Sequence, residues 1–240
     1  MSFRNSVTIV ASPRSRVGKT LLARLLVDFH VQEGREVAAF DLNSGGGTLA
    51  QFAPERTTVS DIADIKGQMA LFDRLIADDG VTKIVDLGHE SFESFFTLAN
   101  QISFAEEAHR RAIAPAVVYV ITPDATAVEA YRNLRARFPQ IILAPLHNEI
   151  FGTGQHRDKY QLAGHGEALV RVPLLAPGVR KYIETPPFSF SDGNLAASVK
   201  IPLEVQIELR RWLRRIYREF REVDLRILLA DLQSSIELGS

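Results

Sequence analysis

The sequence predicts an α/β fold: a doubly wound, mostly parallel sheet with helices on both faces, followed by a C-terminal helical extension. Three observations carry this expectation. Short, continuously apolar runs alternate with helical patterns, which is how strands covered on both faces and their crossover helices read. The first apolar run passes through a tight loop into a helix that opens on Gly18-Lys19-Thr20. The chain has 240 residues, 46% of them hydrophobic and 24% charged, and no internal repeat or clear linker divides it. That suits one domain with a sizeable core, over residues 1–240, with 203–232 as an amphipathic helix.

The elements follow in order. Residues 7–11 read as the first strand. Residues 20–33 form a helix, ended by Gly34 where a left-handed cap fits. Residues 36–41 are the second strand, with the triple glycine 45–47 as a loop after it. A helix over 68–77 closes at Asp78-Asp79-Gly80, and 81–86 is a buried strand. Residues 92–110 are helical. The strand 116–121 breaks at Thr122-Pro123-Asp124, and a helix over 125–137 follows. Strands over 140–144 and 169–172 bracket a polar, Gly-containing loop over 152–166.

Composition excludes several chemistries. The formal net charge is −1, so no global charge argument points to nucleic acid or membrane. There are no cysteines, which removes disulfides, thiolate zinc sites and cysteine nucleophiles together. The first six residues are too short and polar for a signal peptide, and no run has the length of a membrane span. A cytoplasmic chain is the expectation.

The stretch Ser12-Pro13-Arg14-Ser15-Arg16-Val17-Gly18-Lys19-Thr20 carries the chemistry. A buried strand, a tight loop and a helix opening on Gly-Lys-Thr frame a phosphate cradle. Backbone N–H groups and the helix dipole favour anions there. Lys19 reaches outer phosphates in such a frame, and the Thr20 hydroxyl ligates Mg²⁺. Pro13 stands where the common pattern has its first glycine. The same residues also suit an ordinary strand-to-helix turn. In doubly wound sheets ligands sit at the carboxyl ends of strands, where Asp41, Asn43 and Asp86 fall. Asp86 suits a metal-holding role, with a turn or helix-cap role as its alternative. His89 and Glu90 read as a polar loop. His147, His156 and His165 do not have metal-ligand spacing.

These residues resemble the ParA/MinD family of deviant Walker-A ATPases. That family shows Lys-Gly-Gly-x-Gly-Lys-[Thr/Ser] where this chain has Arg14-Ser15-Arg16-Val17-Gly18-Lys19-Thr20. It has Asp-x-Asp ending its second strand, where this chain has Asp41-Leu42-Asn43. Its Walker-B aspartate corresponds to Asp86, and its adenine-contacting Asn to Asn148. Val170-Arg171-Val172-Pro173 and the stretch Gly178-Val179-Arg180-Lys181-Tyr182 are also similar to it. The resemblance implies a P-loop NTPase fold, bound ATP and Mg²⁺, and a homodimer formed through the nucleotide. It implies nucleotide contacts from Arg16, Val17, Gly18, Lys19, Thr20, Leu21, Asn148 and Pro173. It implies metal contacts from Thr20, Asp41 and Asp86, and catalytic roles for Lys19, Arg14, Asp41 and Asn43. Arg14 takes the place of the signature lysine that reaches the partner's phosphates, and its planar guanidinium suits phosphate.

Two departures bear on turnover. Ser15 and Arg16 fill both family glycine positions, which reshapes the loop. Asn43 replaces an aspartate that positions or activates water, and an amide is no base. Slow hydrolysis, or none, with nucleotide binding retained is therefore expected. The implied role is a slow ATPase that positions or partitions a cargo, with a protein partner that stimulates turnover. The rivals are a nucleotide-dependent small-molecule ligase or kinase of the same fold, and a non-hydrolysing scaffold with a degenerate site.

The C-terminal pattern has two stripes. Leu209, Leu213, Ile216, Phe220, Val223 and Ile227, with Trp212 alongside, recur at helical spacing as a core face. Arg210, Arg214, Arg218 and Arg221 lie opposite, with Arg211 and Arg215 added. These arginines read as a solvated face paired with neighbouring glutamates, or as a non-specific DNA-binding face. A docking or dimer helix is a further reading. A membrane surface touched through 225–232 is the less favoured one.

Overall fold

The computed structural model describes residues 6–43, 45, 48–150, 169–190 and 201–237, with side chains to residue 229. The expected loop over 152–166, with His156 and His165, lies outside the described residues, as do Gly46 and Gly47. Among the described residues seven strands form one sheet: β1 (Ser6–Ala11), β2 (Val37–Leu42), β3 (Thr57–Val59), β4 (Thr82–Leu87), β5 (Ala114–Val120), β6 (Ile142–Asn148) and β7 (Val170–Val172). Their order is β3-β2-β4-β1-β5-β6-β7, and every pair is parallel. The chain runs from β1 out to β2 and β3, returns to β4 and crosses to the far side of β1 as β5. The loops after β1 and β4 therefore leave the carboxyl edge side by side, where such sheets bind ligands.

Helices cover both faces, because alternate strand residues point to opposite sides. Val10 and Val118 belong to one apolar cluster, with α1 (Lys19–Gln32), α2 (Thr48–Phe52), α7 (Pro177–Ile183) and α8 (Leu203–Glu237). Ile9 and Val117 belong to the other, with α3 (Ile65–Leu75), α4 (Phe92–Gln101), α5 (Phe104–Arg110) and α6 (Ala125–Arg137). Each central strand thus feeds two cores, which is why β1 and β5 read as largely apolar runs and why even the polar residues of β4 are buried.

Several elements differ from the sequence expectation. Residues 92–110 form two helices rather than one. Ser103 takes a left-handed conformation (φ 51) between them. This turns Phe104 back onto Phe72, their ring centroids 5.4 Å apart. The short α2 and β3 have no periodicity of their own; α2 is capped from a distance, by Asp41. α3 starts earlier than residue 68, because Asp64 caps it by accepting from the Gly67 N–H at 2.7 Å. A side chain at Gly67 would meet the Asp61 carbonyl oxygen at 2.1 Å.

Strand β6 continues past Ala144 to Asn148, through Pro145. The Leu146 carbonyl accepts from Ile121 on the β5 side, so position 145 faces the β7 side. β7 begins only opposite Leu146, so the missing proline N–H has no ladder to break.

The C-terminal helix is a layer of the fold. Leu209, Trp212, Leu213, Ile216, Phe220, Val223 and Ile227 are all buried, as the stripe requires. Phe220 and Tyr217 pack on Phe29 of α1, with centroids 5.6 and 5.5 Å away. Phe220→Ala is expected to cost about 3–5 kcal/mol of unfolding free energy in chemical denaturation, the loss of a buried phenyl group with a residual cavity.

Candidate functional site

The loop after β1 is built from unusual backbone. Arg16 (φ 57) and Gly18 (φ 88) are both left-handed, and Gly18 immediately precedes α1. The left-handed region costs Arg16 more than it costs a glycine. The loop is held from two sides. The Arg14 N–H donates to the Ser12 hydroxyl at 3.3 Å, and the Asn148 amide donates to the Val17 carbonyl at 3.1 Å.

Lys19 is the first residue of α1 and is 7% exposed. Its ammonium donates to the Arg14 carbonyl at 2.6 Å. Burial lowers its pKa, and the Asp86 carboxylate opposes that shift. Next to it, the Thr20 hydroxyl donates to Asp86 Oδ2 at 2.7 Å.

Asp86 and Asp41 are register partners on β4 and β2, and both are fully buried. Asn43 stands between them. Its Nδ2 donates to Asp41 Oδ1 at 2.7 Å and to Asp86 Oδ2 at 2.9 Å. Gly88 permits this approach: a side chain there would meet the Leu42 carbonyl oxygen at 2.7 Å and Asn43 Cα at 3.3 Å.

The two carboxylates do different work. Asp41 Oδ2 accepts from the Leu49 and Ala50 N–H groups, at 2.6 and 3.2 Å, at the start of α2. Its Oδ1 also accepts from the Asn43 N–H at 3.1 Å. Asp41, expected on the metal and catalytic side, thus has both oxygens engaged in holding its own loop. Asp86 Oδ1 is buried and has no hydrogen-bond partner. Burial pushes the Asp86 carboxyl up to about 6. The Thr20 hydrogen bond opposes this, the Asp41 charge adds to it, and Asn43 and Lys19 oppose it. One orphaned carboxylate oxygen beside a threonine hydroxyl is a hard-oxygen pair, which fits Mg²⁺ completed by phosphate oxygens and water. No cluster of three or more His, Cys, Asp or Glu suited to a metal occurs among the described residues.

Arg14 does not extend freely outward. Its Nε donates to Asp124 Oδ1 at 2.8 Å and its Nη2 bonds the same oxygen. Asp124 also caps α6, accepting from the Ala127 N–H at 3.1 Å and from the Thr122 hydroxyl. Partial burial works against ionisation, yet these donors together hold the Asp124 carboxyl down to about 2.

The remaining expected residues are dispersed. Val17 and Leu21 are half-buried at the base of the loop, and Arg16 is exposed. The structure brings Asn148 to the loop, with its Nδ2 spent on Val17 and its Oδ1 accepting from the Ile150 N–H at 3.2 Å. Pro173 is engaged elsewhere: its carbonyl accepts from Trp212 Nε1 at 2.8 Å. His89 and Glu90 are exposed.

Sequence reasoning missed Asp124, Gly88 and Arg24. The Thr122-Pro123-Asp124 break carried a cap signal for Asp124, but nothing local named Arg14 as its partner. Arg24, on α1, is 5% exposed, and burial lowers its pKa to about 9. It donates to the Ile183 and Phe188 carbonyls at 2.8 and 3.1 Å and lies 3.5 Å from the Phe52 ring centroid.

No family model and no curated protein matches this chain. The solved structures similar to it include two of low sequence identity. One is a MinC:MinD cell division protein complex from Aquifex aeolicus, with 15% identity and a TM-score of 0.40 over 60% of this chain and 68% of that one. The other is a nucleotide-binding protein in complex with ADP from Archaeoglobus fulgidus, with 13% identity and a TM-score of 0.41 over 88% and 87%.

The Asp86 shift has a pH signature. The folded state holds a proton there up to about pH 6, whereas an ordinary aspartyl group loses it near 3.8. Between these values the folded state binds more protons than the unfolded one, so this group's contribution to stability falls as pH rises. Unfolding free energies of wild type and Asp86→Asn, measured from pH 3.5 to 7, should therefore diverge across that window. The amide variant gains on wild type by about 2–3 kcal/mol toward neutral pH.

Proposed function

We propose that this chain is a ParA/MinD-like protein that binds Mg²⁺–ATP on the loop between β1 and α1 and turns it over slowly, as a nucleotide-dependent dimer that positions or partitions a cargo. One observation carries the reading. At the start of α1 the Thr20 hydroxyl lies 2.7 Å from Asp86 at the end of β4, with Lys19 beside it and a buried, unpartnered carboxylate oxygen behind it.

Each residue then has a task. The N–H groups at the head of α1 and the Lys19 ammonium bind phosphate oxygens. Thr20 and Asp86 hold Mg²⁺, which when bound neutralises phosphate charge. Asp41 fixes the loop that carries Asn43. Asn43 has both amide hydrogens committed to carboxylates and has no basic group, which supports slow turnover. Asn148 and Pro173 border the base end at the edges of β6 and β7. Arg14 reaches a partner's phosphates once it leaves Asp124, and a phosphate offers its guanidinium a bidentate, multiply charged acceptor in exchange.

The cargo end of the reading rests on α8. Arg210, Arg211, Arg214, Arg215, Arg218 and Arg221 are all exposed, and Arg221 is paired with Glu33. A row of guanidinium groups facing solvent suits nucleic-acid phosphates.

Isothermal titration with ATP and Mg²⁺ tests the core of the proposal. Wild type should bind and Lys19→Ala should bind at least tenfold more weakly; equal affinities, or no heat with either, would remove the nucleotide reading. With ATP present, duplex DNA should bind at low salt and release as salt rises. The Arg210→Glu/Arg214→Glu variant should bind measurably less.

A further inference from the structure

Along one flank of that arginine row, and sharing Arg211 and Arg215 with it, lies a groove of about 450 Å³, between α8 and the segment after β7. Its floor is the edge of Trp212, and two exposed apolar side chains, Leu174 (68% exposed) and Ile207 (47%), stand on its walls. Four charges complete the lining: Glu204, Glu208, Arg211 and Arg215. None of the four makes an ion pair with another described residue, although Arg221, Arg180 and Arg226 all do. The four lie at steps of four, three and four residues, so they form one stripe along the helix.

The order of that stripe is acid, acid, base, base. Read in the reverse direction, the same spacing returns with every charge inverted. A two-fold axis between residues 209 and 210 therefore sets Glu208 against the partner's Arg211 and Glu204 against the partner's Arg215. A surface that complements its own antiparallel copy is what an isologous dimer contact needs. Nucleic acid and anionic lipid suit the neighbouring side of the helix, with Arg210, Arg214 and Arg218, better than the groove itself, because half of the groove's charges are carboxylates.

We propose that this groove is a second self-association surface, in which α8 of one copy lies antiparallel against α8 of another. It is distinct from the nucleotide-facing edge of the sheet and does not depend on nucleotide. One helix pair buries less than a standard interface, so the contact alone is expected to be in the micromolar range. It gains strength where a second contact links the same two molecules.

Sedimentation velocity of the full chain, without nucleotide or magnesium, tests this directly. Wild type should show concentration-dependent dimers. The variants Glu204→Arg/Glu208→Arg and Arg211→Glu/Arg215→Glu should each lose dimer by at least about tenfold in affinity, since each sets like charges opposite one another. An equimolar mixture of the two should associate at least as tightly as wild type and weaken as salt rises. Circular dichroism of each variant shows that it is folded. Two results would overturn the proposal: wild type monomeric up to about 0.1 mM, well above micromolar affinity, or a mixture of folded variants that fails to associate. Either result is independent of ATP binding, which the titration with Lys19→Ala measures separately.

Discussion

The Asn43 amide, set between two buried carboxylates, is the contact on which the rest of the site depends. Parallel pairing of β2 with β4 brings Asp41 and Asp86 to the same level of the sheet, both shut away from water. Two like charges there repel each other across a medium that screens them poorly. Asn43 donates one amide hydrogen to each and so offsets part of that cost. Three neighbours are placed by this arrangement. α2 can begin where it does because Asp41 is turned toward its N–H groups. Thr20 finds Asp86 Oδ2 in place, which fixes the first turn of α1. Position 88 has to be glycine, because the backbone around Asn43 fills the space a side chain would need.

The sequence was legible wherever structure is decided by local pattern. The bounds of α6 match the expected 125–137, and every residue of the apolar stripe on α8 is buried. The order of strand, loop and helix around Gly18-Lys19-Thr20 stands as read, and so does the parallel sheet. What escaped was decided by contacts distant in sequence. Arg14 and Asp124 are 110 positions apart, and Arg24 and Phe188 are 164 apart. Neither pairing leaves a periodic trace. Asp41 ends a strand beside a phosphate loop, and its bonds to the head of α2 had no local signal. Its actual orientation depends on where α2 starts, and five residues of helix carry too weak a pattern to show that. The break at Ser103 escaped for a related reason: the residue that favours it is Phe104, through its packing on Phe72, and not Ser103 itself.

Helix α1 joins the phosphate loop to the far end of the fold. Lys19 and Thr20 occupy its first turn, and one to two turns later Arg24 and Asp28 reach the segment after α7. Arg24 holds the Ile183 and Phe188 carbonyls, and Asp28 accepts from the Phe190 N–H at 2.9 Å. The aromatic faces of Phe52, Phe188 and Phe190 shield the guanidinium in place of water. The final turn reaches α8 through Arg35, just past its end, which bonds Asp224 at 2.6 Å. A single rigid helix thus positions the loop, α2, the segment before residue 190 and α8.

Trp212 is the one tryptophan in the chain, and its surroundings give it an optical meaning. It is 5% exposed, its indole N–H is fixed on the Pro173 carbonyl, and its ring lies 6.4 Å from that of Phe190. Near-ultraviolet emission excited at the red edge of absorption therefore arises from this junction alone. Shielding from water places that emission toward the blue. A shift in its colour or polarisation would register displacement of α8 against β7 without any label.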